Sequence, residues 1–126
     1  MKTVLMIDDE PDFPRIARRI LEPAGFRFES AGSAEEGWER LQASRPDLVI
    51  VDWNLPGKSG PEFCRRVRED SRFGGMPLVM LTVRNLPEEQ LRGLKESSAD
   101  LYLTKPINPD ELLARIESLL GMLGES

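Results

Sequence analysis

Three unbroken apolar runs, Val4-Leu5-Met6-Ile7, Leu48-Val49-Ile50-Val51 and Leu78-Val79-Met80-Leu81, constrain the fold of this chain most. Such a run leaves no strand face for water, so each predicts a strand covered on both sides. Leu101-Tyr102-Leu103 adds a fourth strand, and Phe26-Arg27-Phe28, which alternates as an edge strand would, completes five. Between the runs the period becomes helical. Phe13, Ile16, Ala17, Ile20 and Leu21 make one core-facing stripe; Ala34, Trp38 and Leu41 make another behind the capping box Ser33-Ala34-Glu35-Glu36. In the last segment Asn108 is the expected N-cap, with Pro109 in the first turn and Glu111 three residues after the cap. Leu112, Leu113, Ile116, Leu119 and Leu120 follow. Segments 61–70 and 87–97 are less amphipathic and supply the remaining helices.

Strands that alternate with helices predict a parallel sheet with right-handed crossovers and helices on both faces. The expected fold class is α/β, a flavodoxin-like (βα)5 doubly wound sheet of strand order 2-1-3-4-5. At 126 residues the chain suits a single core, read as one domain over residues 1–122 with 123–126 a tail or the start of a linker. A net charge of −5 argues against nucleic acid or anionic lipid as a direct partner. Cys64 is the sole cysteine and histidine is absent, which excludes an internal disulfide, Cys/His metal clusters and histidine-based catalysis. The apolar run in MKTVLMIDDE is too short for a signal-peptide core or a membrane span, so a cytoplasmic location is expected.

Open parallel sheets bind ligands beyond the carboxyl ends of their strands. Asp8 and Asp9 follow the first run, Asp52 the third, Thr82 the fourth, and Lys105 lies just past the fifth, so residues distant in sequence should meet on one edge. Gly57-Lys58-Ser59 has the look of a nucleotide-binding loop, yet Asp52 stands where that loop needs its first glycine, and Pro56 has no N–H to offer a phosphate. The triplet reads instead as a turn into the next helix. Carboxylates about 4 Å apart repel by roughly 4 kcal/mol at an effective dielectric near 20, which a dication relieves. Oxygen donors without imidazole or thiolate select Mg²⁺, or Mn²⁺, over zinc. Asp8, Asp9 and Glu10 also suit the N-terminus of the first helix as capping acids.

Asp8-Asp9, Asp52 within Asp-Trp-Asn-Leu-Pro, Thr82 closing Met80-Leu81-Thr82, and Tyr102-Leu103-Thr104-Lys105-Pro106 together resemble the receiver domain of two-component response regulators, over about residues 2 to 122. The Asp-Trp-Asn triplet and Arg68-Glu69-Asp70 are similar to the single-domain chemotaxis (CheY-like) members. The resemblance implies that Asp52 accepts a phosphoryl group from the phosphohistidine of a sensor histidine kinase or phosphotransfer protein, a donor that must act in trans. It implies Mg²⁺ held by Asp9, Asp52 and the backbone carbonyl of Asn54, with Asp8 in support. Lys105, before a cis Lys-Pro bond, would pair with a phosphoryl oxygen. Thr82 would hydrogen-bond the phosphoryl group as Tyr102 turns inward, and strand five with the last two helices would become the surface for a protein target or for dimerisation. The implied role is a signalling phosphoacceptor, not a turnover enzyme, with slow autodephosphorylation.

Four positions are expected to tune the site: Val83, where the family usually has Ala or Gly, Lys58, Asn54 and Arg84. Ser59 stands where an aspartate is frequent, and Ser98, in place of a frequent glycine, suggests a locally different turn. Arg65, Arg66 and Arg68 read as a solvated helix face, Cys64 and Trp38 as core, and Trp53 as a reporter beside Asp52. The competing class is an aspartyl-phosphate hydrolase of the haloacid dehalogenase type, which needs a second acid two residues after the nucleophile. This chain has Asn54 there, and an amide shuttles no protons. A flavin-binding flavodoxin is disfavoured by the acidic loop after the first strand.

Overall fold

In chain order the elements are β1 (Thr3–Ile7), α1 (Asp12–Leu21), β2 (Arg27–Ala31), α2 (Ala34–Ser44), β3 (Leu48–Asp52), α3 (Gly60–Glu69), β4 (Leu78–Thr82), β5 (Leu101–Thr104) and a C-terminal helix (Pro109–Glu125). They come from a computed structural model that describes residues 1–82, 88, 92 and 98–125, with side chains to Gly121. The predicted helix over 87–97 lies outside the described residues save for Glu88 and Arg92, and so do Val83 and Arg84. All strand pairs are parallel, as the alternation of apolar runs and helical segments predicts, and the order β2-β1-β3-β4-β5 is that of the expected flavodoxin-like class.

Each central strand feeds two cores. Leu5, Ile7, Val49, Val51, Leu78 and Met80 pack with α2 and α3 residues Trp38, Leu41, Phe63 and Val67. Their neighbours Val4, Met6, Leu48, Ile50, Val79 and Leu81 pack with Ala17, Leu21, Leu112, Ile116 and Leu120 on the other face. This two-sided burial is why the runs are unbroken. The edge strand β2 lies further on than Phe26-Arg27-Phe28, because its register with β1 runs from Thr3↔Arg27 to Ile7↔Ala31. Ile16 leaves the expected stripe of α1 and is 39% exposed, whereas Ala17 and Leu21 are fully buried.

The helix starts follow their side-chain chemistry. Asn108 Oδ1 accepts from Glu111 N at 3.0 Å. Ser59 and Glu62 form a reciprocal capping box at α3, so Gly57-Lys58-Ser59 is indeed a turn into a helix, with Gly57 at φ 84° and Lys58 exposed. At α2 only half of the expected box forms: Ser33 Oγ accepts from Glu36 N, while the Glu36 carboxylate takes the Gly32 N–H instead. Asp8, Asp9 and Glu10 do not cap α1, whose N-cap is Pro11 without a side-chain bond. Arg65 and Arg66 are exposed as expected, Arg66 lying over the Trp38 ring at 3.9 Å. Arg68 departs from that reading: it donates to the carbonyls of Gly74, Met76 and Ser98 and to Asp100 Oδ2, tying α3 to the approaches of β4 and β5. Ser98 sits at φ 59°, a left-handed conformation that favours glycine.

Candidate functional site

The strand order reverses between β1 and β3, and the residues just beyond or at their ends are Asp8 and Asp52. Both are buried, at 3% and 6% exposure, as are Thr82 at the end of β4 and Lys105 one residue after β5. Backbone bonds set their places: Asp8 N donates to Ala31 O at 3.0 Å, Trp53 N to Leu81 O at 2.8 Å, and Lys105 N to Thr82 O at 2.7 Å. The Lys105-Pro106 bond is cis. Asp52 has a further constraint from below. Gly60 N donates to Trp53 O at 2.8 Å, and a Cβ on Gly60 would fall inside van der Waals contact with the Asp52 carbonyl oxygen and Trp53 Cα.

Lys105 Nζ lies 2.9 Å from Glu10 Oε1, 3.0 Å from Asp8 Oδ2 and 3.3 Å from Asp52 Oδ1. Its side chain is 2% exposed, and the ammonium rests 4.0 Å from the centroid of the Phe13 ring. One oxygen each from Asp8, Glu10 and Asp52 lie within 4.8 Å of one another. Burial, reinforced by the charges of Asp8 and Asp9 and partly offset by Lys105, pushes the Asp52 carboxyl up to about 6. Burial likewise raises Asp8, against the Glu10 N–H bond and Lys105. For Lys105, burial disfavours the ammonium, but Glu10, Asp8 and Asp52 outweigh it and hold the pKa above its ordinary value. One ammonium among three carboxylates leaves net negative charge, and the donor set is all oxygen, so the residues fit a hard dication.

The convergence expected of Asp8, Asp52, Thr82 and Lys105 is therefore present. Asp9 and Asn54 are exposed, and among the described residues Glu10, not Asp9, completes the acidic group. Tyr102 is half-buried and stacks on Trp53, with ring centroids 6.3 Å apart and planes at 21°. Glu10, Phe13 and Gly60 were not recognised in the sequence as parts of the site. Glu10 carried a signal, as the third acid of Asp8-Asp9-Glu10; Phe13 read only as core, and Gly60 carried no reading of its own. A groove of about 540 Å³ opens beside the acids between α1 and β2, with Arg15, Arg18 and Glu36 among its walls.

The sequence model of the response regulator receiver domain matches residues 4–117. The chain belongs to that family. The receiver is 37% identical over 123 residues to the phosphate regulon transcriptional regulatory protein PhoB of Pseudomonas aeruginosa, covering 98% of this chain and 53% of that protein. It is 38% identical over 120 residues to the response regulator Rre1 of Synechocystis, covering 94% and 52%. The chain thus spans about half the length of these curated relatives. Among solved structures, the chemotaxis response regulator CheY4 of Vibrio cholerae matches with TM-score 0.87 and 33% identity over 94% of this chain and 98% of that one. A response regulator of Chloroflexus aurantiacus matches with TM-score 0.89 and 32% identity over 95% and 98%. Among the described residues of the receiver no helix is long and apolar enough to cross a membrane.

Proposed function

We propose that the protein is a cytoplasmic phosphoacceptor in which Asp52 takes a phosphoryl group from the phosphohistidine of a sensor histidine kinase or phosphotransfer protein. The observation that carries this reading is the buried Asp8–Asp52 pair facing Lys105 in a receiver-family chain. A carboxylate oxygen of Asp52 forms the new O–P bond as the N–P bond of the donor breaks. The electron pair leaves with the imidazole nitrogen, and 4-aspartylphosphate remains. Mg²⁺, or Mn²⁺, held by Asp9, Asp52 and the Asn54 carbonyl with Asp8 in support, supplies neutralisation of the phosphoryl charge. Glu10 is a further oxygen donor within reach of the same position.

Lys105 then turns from Glu10 and Asp8 toward a phosphoryl oxygen, and the Thr82 hydroxyl donates to another. Tyr102 follows Thr82, and the surface of β5 with the last two helices expected from the sequence shifts toward binding a protein target or a second copy. The added charge and acceptor oxygens favour that arrangement over the resting one. Asn54, Val83, Arg84 and Lys58 tune the lifetime of the acyl phosphate, and Val83→Ala is expected to accelerate its slow decay. The test is incubation with acetyl phosphate and Mg²⁺ followed by peptide mapping. An adduct on Asp52 that Asp52→Asn abolishes is expected; no adduct, or one on another residue, overturns the reading.

A further inference from the structure

The β1–α1 junction holds Lys105 in two ways, only one of which is an ion pair. Glu10 supplies a carboxylate oxygen at 2.9 Å, and Phe13, three residues later, supplies a ring whose centroid lies 4.0 Å from the ammonium. The two are linked, because Phe13 N donates to Glu10 O at 3.3 Å. Pro11 and Pro14 flank the ring in sequence, and their fixed φ stiffens the turn that carries it. An aliphatic side chain would satisfy the core around Phe13 equally well, since its cluster includes Ile20, Leu113 and Leu119. It would also leave a 2% exposed ammonium against hydrocarbon, where a charge is strongly disfavoured. An aromatic face attracts the cation yet accepts no proton from it in a directed bond, so the three N–H donors stay free to change partners.

We infer that Phe13 is a positioning residue for Lys105: its ring face is the wall against which the ammonium is held beside Asp52 and along which it turns toward an arriving phosphoryl group. The inference rests on the phosphoacceptor reading above. It predicts that the effect of the ring follows its electrostatics and not its shape.

The experiment replaces Phe13 with mono-, di- and trifluorinated phenylalanines, which keep the ring while draining its negative face, alongside Phe13→Leu. Asp52 phosphorylation by acetyl phosphate is followed at saturating Mg²⁺, and Mg²⁺ affinity is read separately from Trp53 emission. The rate should fall stepwise, by about five- to tenfold across the series, with Phe13→Leu at or below the trifluorinated protein. Mg²⁺ affinity should stay within about twofold, as expected for a ring that acts on the ammonium. A flat or rising rate overturns the role of Phe13 and leaves the acceptor reading standing. Mg²⁺ affinity that falls in step with the rate also overturns it, because the ring would then act through the carboxylates. A parent protein that gains no phosphoryl group on Asp52 sinks both.

Discussion

Two cations in this protein each gather several oxygens, and they do so to opposite ends. Arg68 spreads its guanidinium over three backbone carbonyls and one carboxylate, and that carboxylate, Asp100 Oδ2, also accepts from Leu78 N at 2.8 Å. Charge there is balanced and the donors have fixed acceptors. Lys105 meets three carboxylates with one point charge, and Asp8 Oδ2, although 3.0 Å away, receives no well-directed hydrogen bond from it. The planar fork suits a permanent joint, whereas the ammonium on a flexible stem suits a partner that must change. A satisfied cluster holds loops; an under-neutralised one has capacity left for a ligand.

Substitutions can break this contrast, and the largest effect belongs to the backbone beneath the open cluster. Gly60→Ala should cost about 3–4 kcal/mol in urea unfolding, since the new methyl collides with main chain that cannot rotate away. A loss under about 1 kcal/mol would show that the β3 end is softer than its packing implies. Arg68→Ala should cost about 2–3 kcal/mol by leaving Asp100 and part-buried carbonyls unmatched, with Mg²⁺ affinity unchanged. Metal-dependent behaviour that shifts with Arg68 would erase the distinction between the two clusters.

Asp52→Asn should act in the opposite direction. With the folded-state pKa at about 6 and an unfolded value of about 3.9, the native state binds more protons between those values, so its stability falls as pH rises through them. The penalty is fully present above pH of about 6 and gone below about 4. Metal-free Asp52→Asn is therefore expected to be more stable than the parent by about 2–3 kcal/mol at neutral pH and close to it near pH 4, in paired denaturation curves. Equal stability at neutral pH would mean the cluster is already balanced. The smallest effect is expected of Glu10→Gln: its side chain is 57% exposed, so the stability change should stay within about 0.5 kcal/mol.

What the sequence made legible was whatever depends on period and on strand ends. Runs such as Leu48-Val49-Ile50-Val51, short and β-branched, predict two-sided strands, and once the strand order is known the following Asp52 must stand beside Asp8. The family resemblance then supplied roles. Less legible were contacts that depend on where a side chain turns. Phe13 obeys the helical pattern whether or not a lysine from far along the chain comes to rest on it. Arg68 obeys the solvent-face pattern while bending inward to loop carbonyls, because a long stem lets its charged tip depart from the direction of its Cα. Gly60 is a glycine because of a carbonyl eight residues earlier, a collision no local pattern records. The exposure of Ile16 shows the reverse limit, an apolar residue that fits the period and still misses the core.

Asp8, Asp52, Thr82 and Lys105 sit at or one residue past the ends of β1, β3, β4 and β5, outside the aliphatic layers that hold the sheet together. Chemistry and architecture are thus separable in this molecule. A library selected only for folded chains would retain members deaf to any kinase, and a chain that had lost the Asp52 carboxylate would pass such a selection at neutral pH more readily than its parent.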